Sequence, residues 1–213
     1  MKKILISLTA AALMLLMCIS LASPALAAGT APIAENLEIK TYRNVSVGGK
    51  MSAYDPDGDV VSYEITTQPV KGKIVQGEDG SFTYTPNDNK RGKDYFGYKA
   101  VDAEGNVSQE ATVIIRIEKQ KKDVCYEDMN GRAEEYAAVA LSENNIFTAE
   151  MIGGEYCFGP DKTVSRGEFL SMCMLTAGEP LINGVMSTGY EDVDAMPYWM
   201  QQYVATAVMR GVS

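Results

Sequence analysis

The sequence predicts a multidomain chain in which an all-β sandwich is followed by an all-α region. Between about residues 37 and 118, apolar residues alternate with polar ones and turn-forming sequences recur at short intervals, as in a sandwich of short strands. After residue 123 the apolar residues recur at helical spacing. The two parts also differ in formal charge, which is −1 for residues 28–122 and −10 for residues 123–213.

The first residues have the order of a secretory signal peptide. Two lysines precede an apolar run over Ile4–Leu21, and small residues follow up to Ala27. Pro24 ends the run, which favours a removable segment over a membrane anchor. We therefore expect residues 1–27 to be cleaved, so that the mature protein is secreted and keeps no membrane segment.

Composition excludes several classes of function. The chain has a formal charge of −9, which becomes −11 when the leader takes away its two lysines, so nucleic acid is not an expected partner. The absence of histidine removes Ser-His-Asp and Cys-His catalysis and the usual histidine-ligated metal sites. Carboxylates are plentiful, as a glycoside hydrolase would require, but no pair stands out. We predict that the protein is not an enzyme.

Alternating segments predict which side chains fill the sandwich. Residues two apart on a strand share one face, so the apolar members of each segment are expected to point inwards. They are Val61, Tyr63, Ile65, Phe82, Tyr84, Phe96, Tyr98, Ala100, Val113, Ile115 and Ile117. Residues 119–123 contain no apolar side chain and are predicted to form an exposed linker.

Two motifs of the β part resemble a known family. The sequence Asp-Pro-Asp-Gly-Asp at residues 55–59 is followed by Gly-Ser-Phe-Thr-Tyr-Thr-Pro at residues 80–86. This order resembles the bacterial Ig-like or cadherin-like repeats of large surface proteins. The resemblance implies an Ig-like sandwich over residues 28–118 that serves as a spacer or an adhesive unit.

The acidic loop of that motif is a candidate calcium site, because some relatives bind calcium there. Asp55, Asp57 and Asp59 place hard oxygen ligands on a tight loop, with Asp102 or Glu104 expected at a neighbouring strand end. The loop lacks the frame of an EF-hand, and Asp-Pro-Asp-Gly also makes a good β-turn without any ion. Calcium is therefore a candidate cofactor, and no other cofactor is indicated.

Three helices are predicted in the second half. The first has an apolar stripe formed by Ala133, Tyr136, Ala137, Ala140 and Leu141. Glu134 and Glu135 are interpreted as carboxylates that favour its positive N-terminal end. The second begins at Ser165 and the third near Pro197, and each ends at a glycine.

An internal repeat connects this half with a second family. Tyr-Glu-Asp-Met at residues 126–129 returns 64 residues later as Tyr-Glu-Asp-Val at residues 190–193, each before a predicted helix. With Gly-Glu-Tyr-Cys-Phe-Gly-Pro-Asp and Thr-Val-Ser-Arg-Gly-Glu-Phe-Leu between the copies, the order resembles the S-layer homology domain. The resemblance implies an all-α S-layer homology region over residues 124–213, with one full repeat at 124–178 and a partial second repeat at 190–213.

The resemblance also assigns roles to residues. Arg166 and Trp199 would bind a secondary cell wall polysaccharide, often pyruvylated, through the guanidinium group and the indole face. Asp128 and Asp192 match the opening aspartate of the repeat, with a partly structural role. Ser165 and Glu168 have the spacing of a capping box and are interpreted as a structural cap of the second helix.

Two hypotheses follow for the whole chain. The leading one is a secreted, non-catalytic protein of the cell wall or S-layer, attached non-covalently to wall polysaccharide, with an Ig-like spacer or adhesive domain. The alternative is a structural or adhesive assembly protein with a calcium-rigidified β domain and a helical region for protein–protein interaction. Self-association belongs to this alternative, whereas a partner that supplies further repeats would complete the S-layer homology region.

Overall fold

The computed structural model describes most of the chain after the predicted signal peptide. The described residues are 29–58, 60–148, 150–185, 187–191 and 193–212. The predicted signal peptide, Asp59 and Asp192 therefore lie outside them. Within these ranges, none of the helices is both long enough and apolar enough to cross a membrane.

The first part of the chain is a β-sandwich, as predicted. One sheet has the strand order β2 (Leu37–Tyr42), β9 (Ala111–Glu118), β8 (Gly92–Asp102), β5 (Val60–Thr67). The other has the order β3 (Val47–Lys50), β7 (Ser81–Pro86), β6 (Gly72–Gln76). The short strands β1 (Ile33–Ala34) and β4 (Ala53–Tyr54) pair with each other. Strand β2 runs parallel to β9, and the other pairings are antiparallel.

The core lies between the two sheets and is formed by the alternating residues. Phe82 of β7 packs edge-on against Phe96 of β8, with ring centroids 5.0 Å apart. Eight of the predicted inward residues are buried: Phe82, Tyr84, Phe96, Tyr98, Ala100, Val113, Ile115 and Ile117. Tyr63 and Ile65 are only partly buried, because β5 is an edge strand with a partner on one side.

The region after residue 123 is not all-α, so the predicted S-layer homology fold, with its full and partial repeats, is wrong. Its helices are short: α1 (Glu135–Glu143), α2 (Arg166–Ala177) and α3 (Tyr198–Met209). Between α1 and α2 lies a β-hairpin of β10 (Glu150–Ile152) and β11 (Glu155–Cys157). In the described part of the chain as a whole, more residues lie in strands than in helices.

The three helices predicted from apolar spacing are present, but a hairpin between the first two breaks the predicted all-α pattern. Gly153 and Gly154 both have positive φ, 63° and 96°, a conformation that glycine adopts without steric cost, and they reverse the chain between β10 and β11. Tyr156 of β11 and Phe158 then pack edge-on against Tyr126. The apolar residues of this segment therefore serve a hairpin and not a helix bundle.

Candidate functional site

The acidic loop of the sandwich is organised by Asp55. Its Oδ1 atom accepts the backbone N–H groups of Asp57 at 2.7 Å and Gly58 at 3.0 Å, which is an Asx-turn. The residue is only 7% exposed, and its other oxygen, Oδ2, is buried and has no hydrogen-bond partner in the described part of the chain. A buried carboxylate oxygen without a partner is costly, so this atom fits a cation ligand.

Two further carboxylates meet at Gly29. A methyl group built on that glycine would lie 3.2 Å from Oδ2 of Asp57 and 3.3 Å from Oε2 of Glu104. The backbone N–H of Thr30 donates to the same Asp57 oxygen at 2.6 Å. Both carboxylates therefore approach one point beside the N-terminal segment, and their negative charges repel unless a cation lies between them.

Asp102, the fourth predicted ligand, forms hydrogen bonds within its own turn. Its two oxygens accept the backbone N–H of Asn106 at 2.6 Å and the side-chain amide of Asn106 at 2.8 Å. Burial favours the neutral acid, but these hydrogen bonds outweigh it and hold the pKa of Asp102 below its ordinary value. The spacing Asp-x-x-x-Asn is the sequence signal that points to this turn, and it was not used in predicting the site.

The described carboxylates do not form a complete metal site. Within the described ranges, no three acidic or cysteine side chains lie close enough together to hold a metal ion. Asp59 lies outside those ranges, and its placement stays a prediction. Calcium accepts carbonyl oxygens and water beside carboxylates, so Asp55, Asp57 and Glu104 are candidate ligands that would have to move closer together to share one ion.

Asp128 holds a loop in place through hydrogen bonds to its backbone. Its two oxygens accept the backbone N–H groups of Phe158 at 2.8 Å and Gly159 at 2.7 Å. Burial raises the pKa of this carboxyl, but these two hydrogen bonds more than compensate and lower it overall. Asp128 thereby joins the short helical turn Glu127–Met129 to the loop after β11.

We expect Asp128→Ala to destabilise this segment by about 1–2 kcal/mol, because two backbone N–H groups lose their acceptor. Asp128→Asn keeps one acceptor oxygen and should cost less. Urea unfolding followed by circular dichroism measures both effects. Asp161→Ala, an exposed carboxylate in the neighbouring turn, is the matched control. Equal stability of the Asp128 and Asp161 variants would contradict the assigned role.

The N-terminus of α2 has both hydrogen bonds of a capping box. Oγ of Ser165 accepts the backbone N–H of Glu168 at 3.2 Å, and Oε2 of Glu168 accepts the backbone N–H of Ser165 at 2.8 Å. These bonds to Ser165 lower the pKa of Glu168. Both residues therefore satisfy backbone donors that a helix N-terminus leaves unpaired.

Arg166 and Trp199 are both available at the surface. Arg166 begins α2 and is exposed, and Trp199 in the first turn of α3 is 53% exposed. Trp199 packs edge-on against Tyr203, with ring centroids 6.4 Å apart. A methyl group on Gly167 would overlap the sulfur of Met200, so the residues that follow Arg166 and Trp199 are in direct contact. The two residues predicted to bind a saccharide, Arg166 and Trp199, therefore lie at neighbouring helix ends.

Residues 29–119 match the family model of the bacterial cadherin-like domain. This match confirms the cadherin-like prediction for the sandwich and fits an extracellular or cell-surface protein. It does not extend into residues 124–213, for which an S-layer homology domain was predicted. No protein with a curated description matches the chain in sequence.

Several solved structures resemble part of the chain. The SrpA adhesin of Streptococcus sanguinis is 21% identical with a TM-score of 0.35, over 55% of this chain and 77% of that one. Human protocadherin-24 EC1-2 is 18% identical with a TM-score of 0.34, over 42% and 53%. An endo-fucoidan hydrolase of glycoside hydrolase family 107 is 15% identical with a TM-score of 0.33, over 43% and 17%, so the chain spans a small part of that enzyme. Similarities this low carry no inference about activity.

Proposed function

We propose that this protein is a non-catalytic adhesive protein of the cell surface, in which the cadherin-like domain is the spacing or binding unit. The observation that carries the proposal is the family match over residues 29–119, together with the complete sandwich that those residues form. The predicted signal peptide supports the same location.

Adhesion can be measured with beads coated with the mature protein. We expect these beads to bind intact cells, or each other, more than beads coated with serum albumin do. Release of reducing sugar from wall polysaccharides tests catalysis in parallel, and none is expected. Bead binding no greater than with albumin would contradict the adhesive function, and sustained sugar release would contradict the non-catalytic one.

Calcium binding at the acidic loop is a second part of the proposal. The buried, unpartnered Oδ2 of Asp55 supports it. The carboxylates of Asp55, Asp57 and Glu104 are too far apart in the structure to share one ion, so binding would draw them together, with Asp59 as a further predicted ligand. The ion would neutralise their charge and tie the loop to the N-terminal segment. Calorimetric titration of EDTA-treated protein with calcium chloride should give saturable heat. Asp88→Asn, an exposed carboxylate in another turn, should bind as the wild type does.

For the second half of the chain we propose a more specific function, which is attachment to a secondary cell wall polysaccharide that is often pyruvylated. Exposed Arg166 and Trp199 on touching helix ends support it. A guanidinium group binds a ligand carboxylate in two-pronged geometry and a flat indole covers a sugar ring, so Arg166→Lys and Trp199→Ala should each weaken binding.

Co-sedimentation with purified walls, before and after chemical removal of the secondary polymer, measures this binding. Arg91→Lys, an exposed arginine of the sandwich, is the matched control. Equal sedimentation with both wall preparations would reject the polysaccharide as the ligand. Light scattering on the purified protein alone tests the alternative of self-association, which predicts a mass that rises with concentration.

A further inference from the structure

A buried carboxylate joins the sandwich to the segment that follows it. Glu135, the first residue of α1, is 2% exposed. Its Oε2 atom accepts the backbone N–H of Ser46, just before β3, at 2.9 Å, and the backbone N–H of Gly131 at 3.0 Å. One oxygen therefore bonds both to the sandwich and to its own segment. Carboxylates are seldom fully buried unless such partners hold them.

Backbone hydrogen bonds continue the same junction. The N–H of Gly48 in β3 donates to the carbonyl of Ala133 at 2.7 Å, and the N–H of Tyr136 donates to the carbonyl of Ser46 at 3.0 Å. A methyl group on Gly48 would lie 2.7 Å from Cβ of Ala133, which is closer than real side-chain carbons approach. The start of α1 thus lies directly on β3.

An apolar cluster next to these hydrogen bonds contains residues of the sandwich and of the segment that follows it. The ring of Tyr42, at the end of β2, packs on the ring of Tyr136 with centroids 5.4 Å apart. Val45 from the sandwich is buried with five residues of the following segment: Val124, Tyr126, Met129, Ala138 and Val139. Burial of these side chains would be lost if the segment moved away from the sandwich.

The residues that connect the sandwich to α1 are also fixed by hydrogen bonds. The carboxylate of Glu143, at the end of α1, accepts the backbone N–H groups of Lys121 at 2.8 Å and Lys122 at 2.7 Å. The Lys122 ammonium group donates to the side-chain oxygen of Asn145 at 2.7 Å and also to the carbonyl of Ser142. Lys121 and Lys122 are exposed residues, yet their backbone N–H groups are bonded to α1.

We propose that residues 120–158 and the cadherin-like domain form one cooperative folding unit, and that Glu135 is the positioning residue that joins them. The unit therefore extends about 40 residues beyond the family match, on the basis of these contacts. The segment after the sandwich then leaves it in a fixed direction. A surface protein built this way transmits force across the junction without a flexible linker.

Native-state hydrogen exchange on the full mature chain tests the unit without any mutation. In low guanidinium chloride, the most protected amides of α1 and of β8 should exchange with the same opening free energy and the same dependence on denaturant. Opening of α1 at a lower free energy and a weaker denaturant dependence, while β8 stays protected, would overturn the proposal.

Variants at position 135 test the positioning role. Glu135→Ala removes the shared acceptor, so exchange in α1 and around Ser46 should rise by about ten- to a hundredfold. Glu135→Gln retains a side-chain oxygen and should restore part of the protection. The control is Glu134→Ala, because the neighbouring Glu134 is exposed.

Gly48→Ala tests the same junction from the side of the sandwich, in case Glu135→Ala does not fold. Its methyl group would push against Ala133, so exchange in α1 should again rise while that in β8 changes less. Exchange in α1 that stays at the wild-type rate in Gly48→Ala, or that is equal in the alanine variants of Glu134 and Glu135, would overturn the role of this contact.

Discussion

Replacing Asp94 by Ala is expected to lower the free energy of unfolding by about 3–5 kcal/mol. Asp94 lies in β8 and is 3% exposed. It accepts the backbone N–H groups of Val70 at 3.1 Å and Lys71 at 2.8 Å, and the hydroxyl group of Tyr84 at 2.8 Å. Three donors would therefore lose their acceptor, and one of them, the hydroxyl group of Tyr84, is buried. Burial and the bond to Asp94 raise the pKa of Tyr84, so its hydroxyl remains a donor at neutral pH.

Urea unfolding of the mature chain, followed by circular dichroism, measures this loss. Asp94→Asn keeps the size of the side chain and one acceptor oxygen, so its stability should fall between that of the wild type and Asp94→Ala. Asp88→Ala removes an exposed carboxylate a few residues away and should change stability by less than about 0.5 kcal/mol. If Asp94→Ala were as stable as Asp88→Ala, the three bonds would not organise the turn before β6.

The sandwich could be predicted because its strands obey a simple rule. In β8, Phe96, Tyr98 and Ala100 occupy alternate positions and all three are buried. In β9, Val113, Ile115 and Ile117 behave in the same way. When one face of a strand is buried and the other is exposed, the sequence itself records the orientation of each side chain.

The three helices of the second half could be predicted from their apolar spacing, but their packing could not, because it depends on distant partners. Glu135 resembles an ordinary carboxylate at a helix N-terminus, whereas its bond to Ser46 spans 89 residues of sequence. No local pattern records such a partner. The predicted apolar stripe of α1 included Ala137, which is exposed, while Ala138 and Val139 are buried against the sandwich.

The candidate calcium loop could be predicted from the sequence only in part. Its Asx-turn at Asp55 follows from the Asp-Pro-Asp-Gly sequence, and the same residues also predict a simple β-turn without an ion. The approach of Asp57 and Glu104 to Gly29 depends on how the N-terminal segment crosses the end of the sandwich. Only the structure shows that Asp102 is held by Asn106 while Glu104 faces the loop.

Calcium is expected to raise the melting temperature of the mature protein. A ligand that binds only the folded state adds about 2.7 kcal/mol of stability when its free concentration is a hundred times the dissociation constant. Extracellular calcium modules have dissociation constants of about 0.1–1 mM, so about 10 mM calcium should approach this effect. If calcium binds as proposed, it relieves the repulsion between Asp57 and Glu104 and gives the buried Oδ2 of Asp55 a partner.

Asp55→Asn should abolish most of this calcium-dependent gain, because it removes the charge but keeps an oxygen that can accept the N–H groups of Asp57 and Gly58. The variant thereby separates the loss of a ligand from the loss of the turn. Differential scanning calorimetry with EDTA and with calcium measures the gain in each protein, and Asp88→Asn should keep the full gain. Magnesium should give a smaller shift, since it requires a tighter octahedral shell. An equal gain in Asp55→Asn and the wild type would place calcium elsewhere and leave the unpartnered oxygen of Asp55 without this role.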